Sequence, residues 1–168
     1  MYFYRLNLKS LNSQIMKKLF FIIALTLLFT LNTNAQTSYK GAVGLGIDLY
    51  DNATFVGPSA KYFFSEKHVG QADLGFEDNA TILTFLYSYH KQFVGAPGLR
   101  WYAGIGPSII LIDDFDNIFS LRPHAGLDFK IDGVPIVFNF DWRPAIALSD
   151  AGETEGGAFG FGIQYAFN

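Results

Sequence analysis

Phe159-Gly160-Phe161-Gly162-Ile163-Gln164-Tyr165-Ala166-Phe167 alternates strictly between two kinds of side chain. Its odd-numbered positions are all large and apolar or aromatic. Its even-numbered positions are two glycines, a glutamine and an alanine. Period-two alternation marks a strand whose two faces meet different surroundings. A soluble sheet would set Lys, Glu and Thr on its second face, toward water. Glycine and alanine suit a crowded interior instead, so the large face is expected to look out into lipid. Strands cross lipid only in a closed barrel, because an open edge leaves backbone N–H and C=O groups without partners.

Seven further segments alternate in the same way. Strands are expected at 40–50, 54–64, 69–76, 81–90, 99–109, 119–129, 134–143 and 157–167, with turn-forming residues between them. The fold class expected is all-β: a closed up-and-down antiparallel eight-stranded transmembrane β-barrel over residues 36–168. The tetrapeptide Asp51-Asn52-Ala53-Thr54 recurs as Asp78-Asn79-Ala80-Thr81, one strand pair later, at what should be two hairpin tips on the same side. The Asn-Ala-Thr within it reads as turn chemistry. The eight strands offer 42 outward positions, none of them charged. Unpatterned placement of the charges would put about seven there. Strand four is the weakest case, since Ile82 and Leu86 fall on its inner face.

Residues 1–35 read as a signal peptide. Lys17 and Lys18 precede the uncharged run from Leu19 to Leu31, and Thr33-Asn34-Ala35 offers a small-residue cleavage site. A run of thirteen is too short for a membrane helix, which needs about 20 residues. Met16 stands directly before the two lysines and is an alternative initiation site. The chain has no cysteine, so export brings no disulfide framework, thiolate site or lipid anchor at the cut. Arg5, Lys9, Lys17 and Lys18 lie in the leader, so 8 basic and 15 acidic residues remain after it, a net charge of −7. Nucleic acid is not an expected partner for such a chain.

The inner faces collect Asp48, Lys61, Asp73, Arg100, Arg122, His124, Asp128, Asp141 and Arg143. Four acids meet four bases, and buried charges must be paired or hydrogen-bonded. A paired network plugging the lumen is expected, densest around Arg100, Arg122, Asp128, Asp141 and Arg143. Eight strands leave room for side chains and little else. Phe138 and Asn139 are neighbours in one strand and must face opposite ways. An arginine replacing Asn139 is expected to find Asp141 two residues along on the same face. Aromatic residues gather near both strand ends, as membrane-interface girdles do.

The signal, the eight strands, the segment Phe138-Asn139-Phe140-Asp141-Trp142-Arg143-Pro144 and the aromatic last strand together resemble the small bacterial outer-membrane barrels of the OmpA/OmpX/OmpW type, in versions common in Bacteroidota. The resemblance spans nearly the whole chain after residue 35. It implies an outer-membrane location, a lipid environment and recognition of the C-terminal strand by the barrel assembly machinery. Such barrels commonly end on an aromatic residue, whereas here Asn168 follows Phe167. The architecture says little about activity, because members differ widely in role.

Little in the chain points to catalysis. Gly44-Leu45-Gly46, Gly104-Ile105-Gly106 and Gly160-Phe161-Gly162 lack the third glycine, the following helix and the Lys-Ser/Thr of nucleotide loops, and read as lumen packing. Asp113, Asp114 and Asp116 gather hard oxygen ligands in one tip, a weak Ca²⁺ candidate without EF-hand spacing. His68, His90 and His124 are the only histidines, and no Ser/His/acid set converges on an outer rim, so neither an enzyme nor a cofactor is expected. Three classes remain open. The first is a monomeric structural or surface-interaction barrel that meets an extracellular partner. The second is a narrow conduit or binder for small solutes. The third is a soluble lipocalin-like periplasmic barrel. For an outer-membrane barrel, an even strand count sets both ends in the periplasm and the tips at 51–52, 77–79, 113–117 and 145–156 outside.

Overall fold

A computed structural model of the protein describes residues 39–113, 115–149 and 152–168. The proposed leader, its cleavage site and Met16 lie outside the described residues. The strands are β1 (Gly41–Leu49), β2 (Thr54–Phe63), β3 (His68–Glu77), β4 (Ala80–Gln92), β5 (Leu99–Ile112), β6 (Ile118–Lys130), β7 (Ile136–Trp142), β8 (Ile146–Ala147) and β9 (Phe159–Phe167). Each of β1 to β6 pairs antiparallel with its successor. β6 pairs onward with β7, β7 with β9 and β9 with β1, which closes the ring. The fold is a closed eight-stranded up-and-down barrel.

Nine segments make eight walls because β7 and β8 are one strand with a break. β7 pairs with β6 from Lys130↔Val137 to Ala125↔Trp142, and β8 resumes the same register at Leu121↔Ile146. Continuing that register across the gap sets Pro144 opposite Pro123. Neither proline has an N–H to give the ladder, so the seam opens there. The expected strand 134–143 therefore starts later, at Ile136, and runs beyond Pro144. The tip at 145–156 is also partly structured, through β8 and a bridge between Ala145 and Glu155. Elsewhere the observed strands run one to three residues past the expected bounds at several ends. The charges this adds, Glu77, Lys91 and Lys130, sit in the last two positions of β3, β4 and β6.

The barrel is apolar outside and polar inside. In β9, Phe159, Phe161 and Ile163 are exposed, while Gly160, Gly162, Gln164 and Ala166 are buried. Val43, Leu45, Val56, Phe85, Ile105, Leu127, Phe140 and Trp142 are likewise exposed, in six further walls of the ring. The small face of β9 has a direct steric cause. A Cβ on Gly160 would stand 2.0–2.2 Å from the guanidinium of Arg143, and one on Gly162 would stand 2.2 Å from Asn139 Oδ1. β9 is small on one face because a buried arginine and a buried amide lie across it.

Two ends are defined by the start of β1 and the end of β9 (proximal) and by the opposite tips (distal). A small apolar cluster of Tyr39, Ala42, Phe63, Val69, Val137 and Ala166 fills the proximal lumen. Phe55 and Ile82 fill the distal part against Gly75. Ile82 and Leu86 thus do face inward, as their position in strand four requires.

Candidate functional site

All nine sequence-selected lumen residues lie inside the barrel, and eight of them are less than 9% exposed, Asp73 being the half-buried one. They form three groups along the axis. At the distal end, Arg122 binds Asp48 with both terminal nitrogens, Nη1 to Oδ2 at 3.0 Å and Nη2 to Oδ1 at 2.9 Å. Its Nε and Nη2 also donate to the backbone carbonyl of Arg143, at 3.1 and 2.9 Å. That carbonyl sits in the seam opened by the two prolines, so the Arg122 side chain satisfies it where the ladder does not. The same guanidinium covers the Tyr50 ring at 5.0 Å and donates to its hydroxyl at 2.6 Å. Burial pushes the Tyr50 phenol well above its ordinary range, so the hydroxyl stays protonated.

At mid-barrel, Arg143 spans two carboxylates. Its Nε and Nη2 hold Asp141, the second at 2.7 Å, and its Nη1 reaches Asp73 Oδ2 at 2.9 Å. Tyr102 donates to Asp141 Oδ2 at 2.5 Å. Ser59 donates to Asp73 Oδ1 at 2.5 Å, Gln71 donates to both Asp73 oxygens, and Gln164 donates to Ser59 at 2.7 Å. His124 tilts against the Tyr102 ring. The cavity among these groups leaves about 10 Å³ for the centre of a water molecule, room for one at most.

At the proximal end, Lys61 pairs with Asp128, and the Tyr39 hydroxyl donates to both Asp128 oxygens, at 3.0 and 2.8 Å. Arg100 stands opposite Asp128 in the β5–β6 register, yet among the described residues it holds no carboxylate. The expectation that Arg100 belongs to the paired network is therefore corrected. Asp128 is already occupied by Lys61 and Tyr39, so Arg100 stacks on rings instead, 4.9 Å from Phe63 and 5.6 Å from Tyr39. Its Nη1 has no hydrogen-bond partner among the described residues.

Asn139 is buried as expected, but an arginine there would not find a free carboxylate. Both Asp141 oxygens are taken by Arg143 and Tyr102, and the cavity beside Asn139 is nearly filled. Asp113 and Asp116 lie in the β5–β6 tip and Asp114 lies outside the described residues. No group of three or more metal-ligating side chains is assembled among the described residues. His90 is buried, stacked on Tyr102 at 4.6 Å, with its Nε2 3.0 Å from Ser88. His68 lies at the proximal end on the outside of the wall, against Tyr87.

Sequence reading by charge missed the neutral half of the network: Tyr39, Tyr50, Tyr102, Ser59, Gln71 and Gln164. Parity alone would have found most of them. Tyr102 lies between outward Trp101 and Ala103, and Ser59 between outward Pro58 and Ala60, which places both inside.

Charge also divides along the axis. Among the described residues the distal tips carry Asp51, Glu77, Asp78, Asp113, Asp116, Glu153 and Glu155 and no base. Lys40, Lys67, Lys91 and Lys130 all lie at the proximal end, with Glu66 and Asp132.

No family model and no curated protein matches the chain. Solved structures similar to it include the N-terminal β-barrel domain of Pseudomonas aeruginosa OprF, with a TM-score of 0.63 at 19% identity over 80% of this chain and 100% of that one. The attachment invasion locus protein Ail of Yersinia pestis aligns over 77% of this chain and 99% of that one, with a TM-score of 0.42 at 16% identity. At 19% identity the likeness to the OprF domain shows the fold, a small closed barrel.

Proposed function

We propose that the protein is an integral outer-membrane β-barrel, of the small OmpA/OmpX/OmpW type, with a structural or surface-interaction role. One observation carries this reading: the solvent-polarity pattern is inverted, with an apolar exterior around an interior of paired charges. Only a hydrocarbon surrounding makes that arrangement favourable, because the exposed aliphatic and aromatic wall gains nothing from water and the lumen charges satisfy one another. A lipocalin-like soluble barrel would need the opposite distribution. Lipid is then the first partner, the exposed aromatic β9 is the feature the assembly machinery would read, and the protein acts as a monomer.

The filled lumen favours a closed structural barrel over a conduit. With the proximal end in the periplasm, a partner outside the cell meets tips that carry seven carboxylates and no base among the described residues. No catalytic role is proposed for the lumen residues, whose polar atoms are largely engaged with one another.

The membrane reading is tested by fractionation. The native protein is expected to remain with outer membranes through salt and carbonate washing. Recovery in the soluble periplasmic extract would sink the membrane assignment. The closed-lumen reading is tested by planar-bilayer recording of the detergent-folded protein, where little steady conductance is expected and a large, stable open state would overturn it. Protease added to intact cells should cut, if anywhere, within 148–156 at a distal tip, and cutting at Ser65 to Lys67 would reverse the orientation.

A further inference from the structure

Outside the paired column, the proximal mouth opens into a vestibule of about 640 Å³ whose lining includes Lys40, Glu66, Lys67, His90, Lys91 and Arg100. Four cationic side chains there face the Glu66 carboxylate and Asn168, whose backbone carboxylate ends the chain. Two of the lining groups are more than nine-tenths buried and have a nitrogen without a partner among the described residues: Arg100, 7% exposed, through Nη1, and His90, 3% exposed, through Nδ1. A buried guanidinium without a counter-ion is costly. The fold does not relieve it, because the nearest carboxylate in register, Asp128, is bound by Lys61 and by the Tyr39 hydroxyl.

We propose that this vestibule is a binding site for a small multivalent oxyanion of the phosphate class, with Arg100 as its anchor. The guanidinium lies 4.9 Å from the Phe63 ring and 5.6 Å from the Tyr39 ring, contacts that use its faces, and its Nη1 donor has no partner among the described residues. A planar guanidinium fork matches two oxygens of a phosphate, and a buried one binds it more strongly than an exposed lysine. Lys40, Lys67 and Lys91, exposed at the rim, supply the further positive charge that selects a multivalent over a monovalent anion and draws it in from solution. The local charge excess has a structural source. Arg143 holds two carboxylates at mid-barrel, so a lumen that is neutral overall is short of one acid at its mouth. The inference depends on the closed barrel and not on the membrane reading.

The same chemistry could arrive as a free phosphorylated solute or as the headgroup of an anionic lipid, and the test separates them. The full chain, refolded in zwitterionic detergent, is titrated with sodium pyrophosphate by calorimetry. One saturable site is expected. Arg100→Gln should weaken it by at least about tenfold, and the double change Lys67→Gln with Lys91→Gln by about threefold, with a shallower salt dependence. The double variant, confined to exposed side chains, keeps the test open should Arg100→Gln fail to fold. The titration is repeated in nanodiscs of phosphatidylcholine with and without phosphatidic acid, whose phosphomonoester can carry two charges. Unchanged pyrophosphate binding assigns the site to a free solute, and competition by phosphatidic acid that depends on Arg100 assigns it to a headgroup. Absence of saturation up to about 10 mM pyrophosphate, a millimolar ceiling beyond any specific site, would overturn the proposal. So would an Arg100→Gln protein that folds and binds as the wild type does.

Discussion

The middle of the lumen and its proximal mouth contain the same kinds of residue and treat them oppositely. At mid-barrel Arg143 is held by Asp141 and Asp73, and distally Arg122 is held by Asp48, a tyrosine hydroxyl and a backbone carbonyl. At the mouth Arg100 lies on two aromatic rings with a carboxylate across the strand already taken by others. Four acids against four bases is a balance of the whole barrel and not of each layer. What decides pairing is which side chains reach the same height along the axis. A charge count therefore predicts a neutral lumen but not where its loose charge sits.

The largest test of that contrast removes a partner from the tight layer. Asp141→Ala leaves the Arg143 guanidinium short of its main counter-ion, and Arg122→Ala leaves Asp48 buried and alone. Each should cost about 3–5 kcal/mol, the usual penalty for breaking a buried pair from one side. Reversible urea unfolding in lipid vesicles measures it, and a loss below about 1 kcal/mol for both would show the column to be dispensable, as exposed pairs are.

Somewhat smaller is the effect of violating the outer wall. Phe138 faces outward near the middle of β7, next to buried Asn139. Phe138→Arg should cost about 2–4 kcal/mol in the same assay, the figure for a basic residue on the lipid face of such a barrel. A neutral result would place water rather than hydrocarbon against β7.

Tyr102→Phe removes one short hydroxyl bond to Asp141 and keeps the ring between His90 and His124. A loss of about 1.5–3 kcal/mol is expected for a hydrogen bond to a charged group. Combined with Asp141→Ala the two losses should fall well short of their sum, because they remove the same contact.

The smallest effect belongs to the mouth. Arg100→Met strands no carboxylate, keeps the apolar stem against Phe63 and Tyr39, and gives up only the cation–π contacts. It should change stability by no more than about 1 kcal/mol. A penalty equal to that of Arg122→Ala would mean that Arg100 is tied into the column after all, and the contrast between the two regions would vanish.

The wall is legible from the chain alone. Period-two alternation in Phe159–Phe167 and its counterparts depends only on strand geometry, and the uncharged outward face identifies which side of every strand looks out. The nine lumen residues followed from the same parity, since a side chain that does not face out in a closed sheet must face in. Three things lay beyond it. The break in strand seven arises where Pro144 comes opposite Pro123, and neither proline announces its partner. The neutral donors Tyr39, Ser59 and Gln164 became visible as network members only beside the acids or the hydroxyl they reach, 89 residues away for Tyr39 and Asp128 and 105 for Gln164 and Ser59. Arg100 lost its expected carboxylate because Lys61, 67 residues from Asp128, arrives at the same height across the lumen. Parity is local and is written in the chain. Contact across a barrel depends on strand stagger and closure, which fix the height of each side chain only when all eight walls are in place.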